Sequence, residues 1–163
     1  MISGTSRISD VNVKDKTMSQ ISIHAGSWQD LQADAKVIRE AVFIQEQVIA
    51  PEDEWDQEDA VALHFVAYAQ QQPIATARLL SNHSIGRVAV LKSYRGLGLG
   101  KKVMEAIIQQ AQQEQRPFLV LSAQVYATGF YQQLGFQVEG EEYLDCGIPH
   151  IRMRRELHPT EEK

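Results

Sequence analysis

Apolar positions change their period several times along the chain, and each change marks an element. Ile21 to Ala25 alternates weakly and reads as a first strand. Ser27 then stands at a cap position ahead of Trp28, Leu31, Ala35, Ile38 and Val42, which recur every three or four residues. This pattern predicts an amphipathic helix, ended by Pro51. Leu63, Phe65, Ala67 and Ala69 alternate with His64, Val66 and Tyr68, so 63–69 reads as a strand. Gln70-Gln71-Gln72-Pro73 turns the chain, Ile74 to Leu80 returns, and Ile85 to Leu91 follows beyond Asn82-His83. Strands two to four are therefore expected as an antiparallel meander. A second helix carries Val103, Met104, Ile107, Ile108 and Ala111 on one stripe, with Lys102, Glu105, Gln109 and Gln112 opposite. After Arg116-Pro117, the run Phe118 to Ser122 is almost continuously apolar, as in a strand buried on both faces. A short helix around Tyr131 ends at Gly135, and Phe136 to Val138 begins a strand that gives way to polar Glu139 to Glu142. Gly147-Ile148-Pro149 leads into the last strand, His150 to Leu157, with His150, Arg152 and Arg154 on one side of the pleat.

Residues 1–17 are polar and aperiodic, and Met18 reads as a possible true start. The expected organisation is an extension at 1–17, one folded domain at 18–158 and a polar tail at 159–163. A chain of 163 residues has room for one domain with a sizeable core. Its 44% hydrophobic and 23% charged residues are ordinary for a globular protein. A net charge of −5 argues against nucleic acid or an anionic membrane as partner and suits a cationic or amine substrate. Cys146 is the one cysteine and cannot close an internal disulfide. With no long apolar run and no secretory pattern at the start, the expected setting is cytoplasmic.

One stretch carries most of the chemistry. Between the strand ending at Val90 and the second helix lies Ser93-Tyr94-Arg95-Gly96-Leu97-Gly98-Leu99-Gly100-Lys101-Lys102. Glycines at 96, 98 and 100 let backbone N–H groups approach a guest, and the next helix brings its positive dipole end to the same place. Such a loop suits a phosphate, although glycines can also serve simply to turn a strand into a helix. A Walker A loop would need glycine at 95 and a hydroxyl at 102, where the chain has Arg95 and Lys102. The G-x-G-x-x-G fingerprint lands on Lys101 or Val103 in its last position.

What fits is Arg-x-x-Gly-x-Gly at Arg95, Gly98 and Gly100, which resembles the pyrophosphate loop of the GNAT superfamily of acyl-CoA-dependent N-acetyltransferases. A second stretch resembles the helix after that family's fifth strand, Asn-x-x-Ala-x-x-Phe/Leu-Tyr-x-x-x-Gly-Phe. Ala127, Phe130, Tyr131, Gly135 and Phe136 fall in register, while Gln124 stands in place of the asparagine. The run Arg39-x-x-Val42-Phe43-x-x-Glu46-Gln47 is similar to an ElaA-like branch. The resemblance implies an α+β fold: a mixed, mostly antiparallel sheet of six to seven strands, about four helices, and splayed fourth and fifth strands.

It further implies acetyl-CoA as cosubstrate in that splay. Its pantetheine arm would lie on the backbone of Val88, Ala89 and Val90 and near Gln124 and Phe130. Its pyrophosphate would sit at Arg95, Gly96, Leu97, Gly98, Leu99, Gly100 and Lys101. The implied reaction is direct acetyl transfer to a primary amine of a small molecule or peptide. Tyr131 is the implied general acid, Glu46 the first candidate base, and the Val88 N–H an oxyanion donor. Glu46, His64 and His150 are candidate acceptor contacts. Each has a plainer reading: Tyr131 and Val88 as packing residues, Glu46 as a surface carboxylate, His64 as a core or wall histidine. The acidic run Glu52, Asp53, Glu54, Asp56, Glu58 and Asp59 fits either a solvated connection or a rim that attracts an ammonium. Cys146 is read as a buried small residue. No metal site is expected, and monomer and homodimer both remain open. A non-catalytic acyl-CoA-binding module of the same fold is the alternative to an enzyme.

Overall fold

A computed structural model describes residues 20–157. The expected extension at 1–17 and tail at 159–163 lie outside the described residues. Strand β1 is Ile21–Gly26. Helix α1, Trp28–Arg39, starts on Ser27, whose Oγ accepts from the Asp30 N–H at 3.2 Å. Asp30 in its first turn and Lys36 and Arg39 in its last complement the helix dipole. Beyond Arg39 the expected helix continues differently, as a π-helical segment over Glu40–Glu46. A one-turn helix α2 (Pro51–Glu54) and a 3-10 turn (Gln57–Val61) lead to β2 (Leu63–Ala69), β3 (Gln72–Leu79) and β4 (Ser84–Val90). Helix α3 spans Leu99–Gln113, β5 spans Phe118–Gln124, and α4 spans Thr128–Gln132. The hairpin β6 (Gln137–Asp145) and β7 (Ile148–Glu156) completes the described chain. No helix among the described residues is long and apolar enough to cross a membrane.

The strands form one seven-stranded sheet in the order β1-β2-β3-β4-β5-β7-β6. Strands β2 to β4 make the expected antiparallel meander, β1 joins it antiparallel to β2, β4 and β5 are parallel, and β7 returns antiparallel between β5 and β6. One core joins the sheet to α3 and α4 through Met104, Ile107, Leu119, Phe136 and Met153. A smaller one, with Ala35, Ile38, Val42, Phe43, Val66 and Ala89, lies under α1. Helices on both faces explain why Val66 and Ala67 are equally buried although they point opposite ways. Strand β6 extends well past Val138 because it is the sheet edge: all its residues are exposed, so no hydrophobic alternation is needed to hold it.

The sheet opens at its centre. Strands β4 and β5 pair only at Ser84–Val120 and Ile85–Leu121, then diverge. A bulge in β4 coincides with the divergence. Pairing with β3 runs Arg78–Gly86 and then Thr76–Ala89, so Arg87 and Val88 together face Ala77. Arg87 has φ of 51°, in the left-handed region.

Candidate active site in the splay

The divergence opens a cavity of about 630 Å³ floored by β4. Its lining includes Val88, Ala89 and Val90, together with Glu46, Arg95, Gly100, Gln124, Phe130, Tyr131 and His150. Gly96, Leu97, Gly98, Leu99 and Lys101 form the loop and helix start beside it and are not in the lining. The Leu99 side chain is a core residue instead.

The loop is built by backbone. Gly96 and Gly98 have φ of 80° and 82°, and a Cβ on either would meet nothing within 4 Å. Their need for glycine is conformational, and the space beside them is open to a guest. Gly100 differs: a Cβ there would come within 3.3 Å of the Phe130 Cζ, so this glycine permits close packing of α4 on α3. Gly98 caps α3 in the left-handed conformation, with no side-chain cap. Within the helix the first bond runs from Lys102 N to Gly98 O at 3.1 Å, leaving the amides of the preceding first turn for a ligand. That turn has no acidic residue and itself carries Lys101 and Lys102. Positive charge against a positive dipole end is locally unfavourable, and an anion relieves it. These residues fit the pyrophosphate of a CoA thioester.

Tyr131 is buried on α4 between Phe130 and Phe136, its ring 4.9 Å and 6.2 Å from theirs. Burial, and secondarily Tyr126, pushes its phenol well above the ordinary range, so the proton is held. Gln124, where the family motif has asparagine, donates to Gln47 Oε1 at 2.9 Å and ties the end of β5 to the end of the π-helical segment.

Glu46 is not a free carboxylate. Arg95 donates Nη1 and Nη2 to it at 2.6 and 2.7 Å and its Nε to the Val90 carbonyl at 2.9 Å. The Arg95 hydrogen bond holds the Glu46 carboxyl below its usual range, which weakens it as a base. His64 is buried, its Nε2 2.8 Å from the Asp59 carbonyl and its ring against Trp28. It does not line the cavity, so the expected acceptor contact is replaced by a core role. Burial lowers its pKa. His150 does line the cavity. Its Nδ1 lies 2.7 Å from the Ile148 carbonyl, which can only accept. Nδ1 therefore carries the proton and Nε2 keeps a lone pair. The ring stacks on Tyr143, whose hydroxyl pairs with that of Ser122.

The acidic run divides: Glu54 and Asp59 are buried, while Glu52, Asp53, Asp56 and Glu58 stay exposed. Buried Arg39 binds Glu54 through Nε at 2.7 Å and Asp59 through Nη1 at 2.7 Å. Arg78 binds Asp56 and Asp59, both at 2.7 Å. Arg87 reaches Asp56 at 3.1 Å and the Glu54 carbonyl at 2.8 Å. Only Asp53 and Glu54 of the run line the cavity. Cys146 is exposed rather than buried, because it sits in a two-residue hairpin turn with Gly147, both at positive φ. It faces the cavity beside Asp145. Desolvation and the carboxylates of Asp145 and Asp53 raise its thiol pKa, which disfavours a nucleophilic thiolate.

Arg87, Ser122 and Asp145 are lining residues that sequence reasoning missed, whereas Asp53 belongs to the acidic run that was open to a rim reading. For Arg87 a signal was present: Gly86-Arg87 interrupts an apolar run, which is how a bulge is written in a strand. Ser122 and Asp145 carried no comparable mark.

Known proteins repeat this arrangement. Residues 27–157 match the family model described as "Acetyltransferase (GNAT) domain". Protein YyaT of Bacillus subtilis is 35% identical over 130 residues, covering 76% of this chain and 88% of the relative. The crystal structure of an acyl-CoA N-acyltransferase from Pseudomonas aeruginosa superposes with a TM-score of 0.75 at 33% identity, covering 83% of this chain and 99% of that one. Escherichia coli ElaA superposes with a TM-score of 0.76 at 28% identity over the same shares. The glycine cradle, the parted strands and the sequence relatives thus agree, and the chain belongs to the GNAT acetyltransferase family, whose chemistry is acyl transfer.

Proposed function

We propose that this protein transfers an acetyl group from acetyl-CoA directly to a primary amine of a small molecule or peptide. The observation that carries the reading is the parting of β4 from β5 after two paired residues, with the buried Tyr131 facing the opening that results. The loop from Arg95 to Gly100 and the first turn of α3 would hold the pyrophosphate, with Lys101 and Lys102 adding charge. The carrier supplies an acyl group activated as a thioester.

The chain's own groups have three tasks. An alkylammonium, with a reference pKa of about 10.4, must lose a proton before it attacks. His150 is the better base, since its ring lines the cavity with Nδ1 tied to the Ile148 carbonyl, while the Glu46 carboxylate is engaged by Arg95. The Val88 N–H, in the bulge, donates to the acyl oxygen as negative charge develops there, a contribution of ~10²–10³-fold in comparable sites. Tyr131 keeps its proton in the resting site and gives it to the departing sulfur. Direct transfer requires no acyl-enzyme, in keeping with the raised pKa of Cys146.

The test is CoA-thiol release across a panel of primary amines, run beside calorimetric CoA titration. Tyr131→Phe and His150→Gln are each expected to lower kcat by ~10²-fold or more while CoA affinity holds. CoA binding with no transfer to any amine would favour the non-catalytic module. No CoA binding at all would remove the reading.

A further inference from the structure

Arg87 has no part in the scheme above, yet its backbone and side chain are both unusual. A non-glycine residue in the left-handed region is strained and persists only where its surroundings insist on it. The chain has a glycine one position earlier, where no positive φ requires it, and an arginine where φ is 51°. The side chain supplies the reason. Its Nη2 donates to the Glu54 carbonyl at 2.8 Å and to Asp56 Oδ2 at 3.1 Å, and its Nε reaches the Glu54 carbonyl at 3.3 Å. A weaker contact runs from Nη2 to the Asp53 carbonyl at 3.4 Å. All these acceptors lie on or just after α2.

That helix is a single turn, held by hydrogen bonds from Asp53 and Glu54 to the Ala50 carbonyl and from Trp55 to the Pro51 carbonyl. Isolated helices below ~12–15 residues are marginal in water, so one turn does not sustain itself. Arg39 holds it from the protein interior, at the Glu54 carboxylate and carbonyl. Arg87 holds it from the cavity side. The same residue therefore shapes the β4 bulge next to Val88 and anchors the wall that presents Asp53 and Glu54 to the cavity.

We propose that Arg87 is a positioning residue that fixes the acceptor wall relative to the Val88 amide, so that the amine is docked in register with the polarised acyl group. This rests on the acyl-transfer reading above. A lysine does not substitute, because the contacts require a planar fork of donors.

Two variants separate backbone from side chain. Arg87→Gly keeps the left-handed backbone without strain and deletes the fork, and Arg87→Lys keeps the charge. Two measurements are made on each: amide hydrogen exchange at Asp53, Glu54 and Trp55, and steady-state transfer with the best amine of the panel. In Arg87→Gly, exchange at those amides is expected to accelerate while that of β2 and β3 stays slow. Acceptor kcat/KM is expected to fall ~10²-fold, the cost of misplacing reacting groups by roughly 1 Å, with CoA affinity unchanged. Millimolar guanidinium is expected to restore part of the rate. Arg87→Lys shows the same pattern more weakly.

Unchanged exchange at the three amides in both variants overturns the proposal, whatever the activity. So does a loss of CoA affinity equal to the loss of rate, because the effect would then not belong to the acceptor side. If wild-type protein transfers no acyl group, the acyl-transfer reading fails, while the exchange experiment still decides whether Arg87 anchors α2.

Discussion

The two ends of the cavity are held by different physics. At the glycine-loop end, one contiguous stretch does the work through its backbone: Gly96 and Gly98 at positive φ, then the unpaired amides of α3. Side chains contribute little there, and the Arg95–Glu46 pair is substantially exposed. At the end lined by Asp53 and Glu54 the wall is held by guanidinium side chains. Arg39, Arg78 and Arg87, from α1, β3 and β4, share Glu54, Asp56 and Asp59 across a buried or half-buried interior. A backbone cradle can be rewritten in sequence without moving, provided the glycines stay. An interlocked charge network cannot lose one member without stranding the others. The first suits a constant ligand, and the second holds a particular shape against a variable one.

The largest effect that sharpens this contrast is expected from Arg39→Met. It leaves Glu54 and Asp59 buried without their shared partner and should cost ~3–5 kcal/mol in urea denaturation. A loss below ~1 kcal/mol would place the network in the same class as surface pairs. Next comes Gly98→Glu. It adds ~1–2 kcal/mol of left-handed strain and puts an anion where the loop would receive one. CoA titration should show binding lost, and unchanged binding would remove the cradle assignment.

Acid acts on the network through Asp56 and Asp59, opposed by Glu54, whose burial raises its carboxyl above the usual range. Asp56 is held below its ordinary range by the Arg78 hydrogen bond, against desolvation. For Asp59 desolvation is the largest influence and pushes upward, but Arg39 and Arg78 together outweigh it and the net shift is downward. Both therefore bind protons less readily folded than unfolded. Their stabilisation is complete above the unfolded value of about 3.9 and is withdrawn as the pH falls through the lower folded values. Stability measured from pH 5 downward should decline in wild type, and less steeply once Asp56 is replaced by Asn. The smallest effect is expected from Glu46→Gln, which breaks only an exposed pair and should change stability by under ~1 kcal/mol.

Much of this molecule follows from short-range pattern. Period and punctuation along the chain determine the meander, the α3 stripe and the near-continuous apolar β5, because each depends on residues within a few positions of one another. The glycine loop is legible for the same reason: a positive φ and a helix start are local properties. The register of Ala127, Phe130, Tyr131, Gly135 and Phe136 is local too, and all of it lies where the sequence implies. What sequence cannot fix is which charges meet. Arg39 finds Glu54 and Asp59 fifteen and twenty residues away, and Arg78 finds Asp56 twenty-two residues away. An ion pair leaves no periodicity, so the two carboxylates destined for the interior, Glu54 and Asp59, look like their exposed neighbours in the same run. The same blindness hides the capture of Glu46 by Arg95, forty-nine positions on, and the burial of His64 against Trp28. Local backbone preference is a property of the chain, whereas burial and charge pairing depend on which segments pack together, and only the tertiary structure decides that.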